Sequence, residues 1–237
     1  MDKESNVYTI SYAVVMTVLV AVSLAFVSTS WKAKQIFNQQ LASKIDILKA
    51  VGLADVEKAE ASAVFDDRIE SLVLSVDMQV IEGAVPAVDI DMFRETKLDP
   101  KDQRYPLYVY KHDGQTRYII PMYGNGLWDK IWGYVALKED MATIIGISMD
   151  HRAETPGLGA EIKDNPGDYN DPFIGKSIYD ASGKYVSVAM KKGKLDNPDH
   201  QIDGITGATI TSDGVTIMLY EDIQAYLPYF DQLKNAQ

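Results

Sequence analysis

The stretch Asp203-Gly204-Ile205-Thr206-Gly207-Ala208-Thr209-Ile210-Thr211-Ser212 gathers three threonines, a serine and two glycines. A hydroxyl is an oxygen nucleophile once a base takes its proton, and it is also a helix cap. Small neighbours such as Gly207 and Ala208 let a bulky group approach the backbone. An amphipathic run follows over 212–233, with Val215, Leu219, Ile223, Tyr226 and Leu227 on one stripe. The hydroxyls therefore lie where a helix begins. A first helical turn offers unpaired N–H groups and the positive dipole end, which together hold a phosphate. The same residues also read as a Gly-rich turn capping a helix at Thr211 or Ser212.

A second stretch, Glu154-Thr155-Pro156-Gly157-Leu158-Gly159-Ala160-Glu161, reads first as a Pro-Gly turn. Gly157 and Gly159 flank one apolar side chain, a geometry that could press Leu158 against a flat ring.

Asp-Gly-x-Thr-Gly-Ala-Thr-x-Thr, as it stands at 203–211, resembles the flavinylation motif of flavin-transferase substrates. Glu-Thr-Pro-Gly-Leu-Gly at 154–159 is similar to the second signature of the same flavin-binding family. The whole chain, apolar N-terminal segment included, resembles the C-subunit family of the sodium-pumping NADH:quinone oxidoreductases. The resemblance implies FMN attached through its phosphate to the Thr209 hydroxyl, by a separate flavin transferase that uses FAD and a metal ion. It implies a membrane-anchored subunit that relays single electrons among the other subunits of the pump and is not catalytic alone. It places the N terminus in the cytoplasm and the large domain in the periplasm, on the bacterial inner membrane. The G-subunit family of the Rnf ferredoxin:NAD oxidoreductases shares both signatures and is the near alternative; Gly126-Leu127-Trp128 and Gly133-Tyr134-Val135-Ala136-Leu137 are more similar to the quinone-reductase branch. A cofactor-free tethered interaction domain is the reading from another class.

On that resemblance, Thr206, Gly207, Ala208 and Thr211 surround the attachment point, and the Thr206 or Thr211 hydroxyl is expected to help hold the phosphate. Asp203 either positions the acceptor loop or starts a turn. Leu158 and then Trp128 are candidates for an apolar platform under the isoalloxazine ring, Trp128 reading equally as a core aromatic. Thr155 could hydrogen-bond the ring edge. Lys191 could favour the negative charge of a reduced flavin, or be a solvated surface lysine.

Composition narrows the alternatives. The chain has no cysteine, which removes disulfides, cysteine-ligated iron–sulfur clusters and thiol catalysis. Three histidines without metalloprotease spacing make a metal hydrolase a weak reading. Net charge is -11. Setting aside Asp2, Lys3 and Glu4, the chain beyond Trp31 carries 22 Lys+Arg against 32 Asp+Glu, a surface that repels nucleic acid. No Gly-x-Gly-x-x-Gly fingerprint for a nicotinamide is present.

From Ser5 to Trp31 there is no charged residue, a run that as a helix spans about 40 Å against a hydrocarbon core of about 30 Å. Tyr8, Tyr12 and Trp31 stand at interfacial positions. The acidic start and the length of the run favour an uncleaved anchor in the lipid bilayer over a signal peptide. Charge leaves orientation open, with Lys3 on one side and Lys32 and Lys34 on the other.

The expected fold is α+β: a single N-terminal transmembrane helix over 1–31, a juxtamembrane stalk helix over 32–54, and one antiparallel-sheet FMN-binding domain with flanking helices over 55–237. Within it the pattern predicts a helix over 56–69, a strand over 72–81 and an irregular stretch over 86–100. Strands at 107–111 and 116–123 join through Asp113-Gly114 as a hairpin. Further strands are expected at 131–137, 143–148 and 185–190, a turn-rich loop at 165–175, and a last helix that Pro228 kinks or ends.

Overall fold

The computed structural model describes residues 5–235; residues 1–4, which include the Lys3 of the orientation argument, and 236–237 lie outside the description. The chain divides into two units, one ending at Ala42 and one starting at Ser43. Helix α1 (Asn6–Ala50) supplies all of the first that is described, apart from Ser5. It is long and apolar enough to cross a membrane, and its apolar window packs against nothing else among the described residues. A helix that is apolar all round needs a solvent other than water.

The second unit is built on a five-stranded antiparallel meander, β1 (Ile69–Leu74), β2 (Tyr105–His112), β3 (Gln115–Asn125), β4 (Lys130–Leu137) and β5 (Ile144–His151), in that spatial order. The hairpin at Asp113-Gly114 is as expected. Both residues have positive φ, 52° and 71°, the primed turn that matches strand twist. The last helix, α6 (Thr209–Asn235), packs on one face of the sheet through Val215, Met218, Leu219, Ile223, Tyr226 and Phe230, all buried with Leu107, Ile120, Met122, Ile131 and Val135. It runs through Pro228 without ending there. The other face is covered by the last turns of α1, where the Ser148 hydroxyl donates to Asp46 O at 2.8 Å, and by Phe65 of α2 (Ala61–Arg68), edge-on to Tyr108.

Strand β3 outruns β2. Their pairing stops at Tyr108↔Ile119, beyond which come Pro106 and Pro121, neither with an N–H to give. Helix α6 closes this gap with two side chains. Asp222 Oδ2 accepts from Tyr123 N–H at 2.6 Å, and Tyr226 Oη donates to Pro106 O at 2.7 Å.

Several elements differ from the sequence expectation. The 56–69 helix is only α2, because nothing from Gly52 to Glu60 is buried and Ala61 and Phe65 are its first anchors. Strand β1 ends at Leu74; Ser75 and Asp77 begin a turn with Met78 at φ 56°. The 86–100 stretch holds a 3-10 turn at Ala87–Asp89 and a short helix, α3 (Met92–Glu95), capped by Asp91, whose side chain accepts from Phe93 N–H at 3.0 Å. The 165–175 loop is made of α4 (Glu161–Asp164) leading in, α5 (Pro166–Tyr169) and a 3-10 turn that buries Phe173. The 185–190 strand shrinks to β6 (Ala189–Lys191), since Ser187 at φ 58° breaks the extended run. Strand β6 pairs in parallel with β7 (Gln201–Asp203), a strand not anticipated, to make a small second sheet.

Candidate functional site

The β6–β7 pair delivers the hydroxyl-rich stretch to the start of α6. Asp203 stands opposite Lys191, and Gly204 N–H donates to Lys191 O at 2.8 Å. The chain then turns through Thr206 and Gly207, the latter at φ 81°, a conformation that favours glycine. Ser212 stitches this turn from the inside. Its hydroxyl accepts from Ile205 N–H at 2.9 Å and donates to Ala208 O at 3.1 Å. It does not cap the helix as expected: it lies inside α6 and ties down the turn ahead of it. Helix α6 thus starts three residues earlier than expected, at Thr209 itself.

The four hydroxyls divide into two pairs. Thr211 and Ser212 are buried, with protons committed. Thr206 is exposed and Thr209 half-exposed, and among the described residues neither hydroxyl is hydrogen-bonded. The first N–H of α6 with an intrahelical-type partner is that of Ser212, bonded to Ala208 O at 3.0 Å. Among the described residues the N–H groups of Thr209, Ile210 and Thr211 meet no backbone acceptor and are open as donors. Thr211 corrects an expectation: it gives its only hydroxyl proton to Glu154 Oε2 at 2.6 Å and faces inward, so it has none to offer a phosphate.

Glu154 is the functional candidate that sequence reasoning left out of its site. It is 5% exposed, yet its carboxylate collects four donors. These are the Thr211 hydroxyl, the Trp128 N–H at 3.0 Å to Oε1, and the N–H groups of Leu127 and Asp129. Gly126 and Gly159 press against the carboxylate so closely that a Cβ at either would collide with it. Burial pushes this carboxyl upward; the bonds from Thr211, Trp128, Leu127 and Asp129 outweigh it and hold the group below the usual glutamate range.

That clasp joins the two signatures. Trp128 is not a core aromatic; it is 68% exposed, and its Nε1–H donates to Thr155 Oγ1 at 3.2 Å. Leu158, 37% exposed, reaches the acceptor loop, since a Cβ on Gly207 would stand 2.9 Å from its Cδ2. Trp128, Thr155 and Leu158 form an open shelf next to Thr209's loop. A separate cavity of about 610 Å³ opens along the same loop, lined by Tyr169, Lys191, Lys192, Asp203, Thr206 and Gly207. Lys191 is therefore at the site, but its ammonium is paired with Asp196, which takes up the charge expected to act on a flavin. Asp203 lines the cavity and makes no side-chain hydrogen bond among the described residues; the loop is held by Ser212 instead.

An outward hydroxyl beside three open N–H donors suits a phosphoester, and a shelf and cavity flanking it suit a planar ring. The arrangement defines an FMN-binding domain, and a family model of that description, FMN-binding domain, matches residues 126–224. The chain is similar to the C subunit of the Na(+)-translocating NADH-quinone reductase of Pseudomonas aeruginosa, 32% identical over 92% of both chains. It is similar to that of Neisseria meningitidis serogroup B, 32% identical over 99% of this chain and 97% of the relative. The crystal structure of the same subunit from Parabacteroides distasonis superposes with a TM-score of 0.75 at 34% identity, covering 84% of this chain and 96% of that one. The chain belongs to the family of Na(+)-translocating NADH-quinone reductase C subunits. It is a flavoprotein subunit of an oxidoreductase complex, in the quinone-reductase branch rather than the Rnf branch.

Proposed function

We propose that this protein carries FMN covalently on Thr209 and relays single electrons between other subunits of a redox-driven sodium pump. The observation that carries the reading is the sorting of the four hydroxyls: Thr209 is turned outward, unbonded, on the first residue of a long helix. In maturation the Thr209 oxygen bonds to the flavin-side phosphorus of FAD. The bond from that phosphorus to the bridging oxygen breaks, AMP leaves, and the hydroxyl proton passes to a base of the flavin transferase. The N–H groups at the start of α6 and the Thr206 hydroxyl then hold the phosphoester. Gly207 and Ala208 leave room at the attachment point, Leu158 and Trp128 cover an apolar ring face, and Thr155 lies along its polar edge; Lys191, held by Asp196, stands in the neighbouring cavity. Once attached, FMN supplies one-electron redox chemistry that no side chain here offers.

Helix α1 anchors the subunit in the inner membrane, with the domain from 55 onward on the periplasmic side and 32–54 as the connecting stalk. A covalent link keeps the cofactor from being lost into that open compartment. Neither NADH binding nor turnover by the isolated chain belongs to this reading, and an acidic surface leaves no place for nucleic acid. The test is intact mass of the full chain co-expressed with a flavin transferase. Wild type gains one FMN less water, and Thr209→Val gains nothing. Wild type at its unmodified mass overturns the reading.

A further inference from the structure

Three segments that are far apart in sequence converge on one side chain. The Gly126–Asp129 turn presents Trp128 and aims the N–H groups of Leu127, Trp128 and Asp129 at Glu154. The first turn of α6 reaches the same carboxylate through Thr211, two residues past Thr209. The third segment is Glu154's own loop, which runs on to Thr155, the partner of the Trp128 indole, and to Leu158, which abuts Gly207. Glu154 is also fixed from behind, its N–H donating to His151 Nδ1 at 3.2 Å. No lysine, arginine or histidine ion-pairs with Glu154 among the described residues, so its charge is balanced by hydrogen-bond donors alone.

We propose that Glu154 is the positioning residue of the flavin site: its carboxylate locks the Trp128 turn to the helix end that bears Thr209, and its charge biases the attached flavin against accepting electrons. This rests on the reading that Thr209 carries FMN. Two consequences follow from the geometry. A glutamine at 154 offers one acceptor oxygen and two unwanted N–H donors where four donors already point, so the Trp128 shelf loosens from the helix. It also removes a buried negative charge beside the site, which makes reduction easier.

The test compares wild type, Glu154→Gln, Thr211→Val and Thr211→Ser as flavinylated full chains in detergent, with loading checked by intact mass and folding by circular dichroism. In Glu154→Gln, redox titration should show the reduction equilibrium moved toward reduced flavin by about tenfold, the order that one unit charge exerts at about 12 Å through an effective dielectric of about 20. Flavin fluorescence anisotropy should fall, as the ring rotates more freely. In Thr211→Val the charge stays and one donor is lost; anisotropy should fall without a shift toward the reduced form, and Thr211→Ser should restore it. Wild-type potential and anisotropy in a folded Glu154→Gln, even with lowered thermal stability, overturn the proposal. If Glu154→Gln does not fold, unchanged anisotropy in Thr211→Val does so. A wild-type chain that never gains FMN sinks the attachment at Thr209 instead, a separate failure visible in the mass alone.

Discussion

Two carboxylates are tucked away at α6, one against its first turn and one on the helix itself, and they are opposites. Glu154, at the helix start, meets four donors and stays charged well into acid. Asp222, at the end of the β2–β3 pairing, meets one, the Tyr123 N–H. Burial is the leading influence on both. At Asp222 a single hydrogen bond does not offset it, Glu221 adds repulsion, and the carboxyl is pushed up to about 7. Burial thus does not set the protonation state of a carboxylate; the number of donors that come with it does. The site end of the helix is built to hold an anion, and the middle is built to close a sheet.

The largest expected effect lies at Asp222. Its folded value is above the unfolded one of about 3.9, so the folded chain holds this proton more tightly and stability falls as pH rises from about 4 to about 7. The ceiling on that loss is roughly 4 kcal/mol. Asp222→Asn keeps an acceptor for Tyr123 and removes the ionisation. It should be more stable than wild type at pH 8 by about 4 kcal/mol, on the order of that ceiling, and the difference should shrink to about 1.5 kcal/mol at pH 5. Urea unfolding at the two pH values decides it; a wild-type stability flat across this window breaks the comparison.

Next comes Glu154→Ala, which strands four donors and should cost about 2–3 kcal/mol at pH 7. Here the sign is reversed. The folded value is depressed, so Glu154's contribution is present above its unfolded value and is lost only as pH falls below it. The cost of Glu154→Ala should therefore be the same at pH 6 and pH 8, measured by the same unfolding curves. Tyr226→Phe is smaller. It removes the bond to Pro106 O, at about 1 kcal/mol and independent of pH between 5 and 8, which separates closing the sheet from titration. Smallest is Trp128→Phe. An exposed indole bonded to one threonine should change stability by less than about 0.5 kcal/mol while altering flavin fluorescence quenching in the loaded chain.

The hairpin, β4, β5 and the stripe of α6 were legible in the sequence because each is written in local pattern, an Asp-Gly turn or a helical period. Strand β7 was not: three residues carry no period, and its partner lies beyond a loop. Thr209 is singled out by the resemblance of 203–211 to a flavinylation motif, since its neighbours alone read equally as a capping turn, and Leu158 by its flanking glycines. Glu154 was visible as a letter in a signature but not as a clasp, because Trp128 and Thr211, its donors, are brought to it by the sheet and by α6. Beside a Pro-Gly turn, a glutamate reads as surface. The pairing of Lys191 with Asp196 is local, an acid five positions past a base, but a run of lysines reads as one basic cluster and hides which of them is neutralised.

Where α6 crosses the end of β3, Gly214 lies on Asn125 O, and a Cβ on Gly124 would stand 3.0 Å from Met218 Cβ. Main chain rests on main chain at Gly214, and at Gly124 only the first carbons of Met218 stand between. The helix has no slack in that direction, and leaning away would unseat Met218 and Leu219 from the interior. A redox group hung from its first residue, as proposed, would be on a fixed mount, and a change of electron partner would have to come from surfaces brought up to it rather than from a swing of its own support.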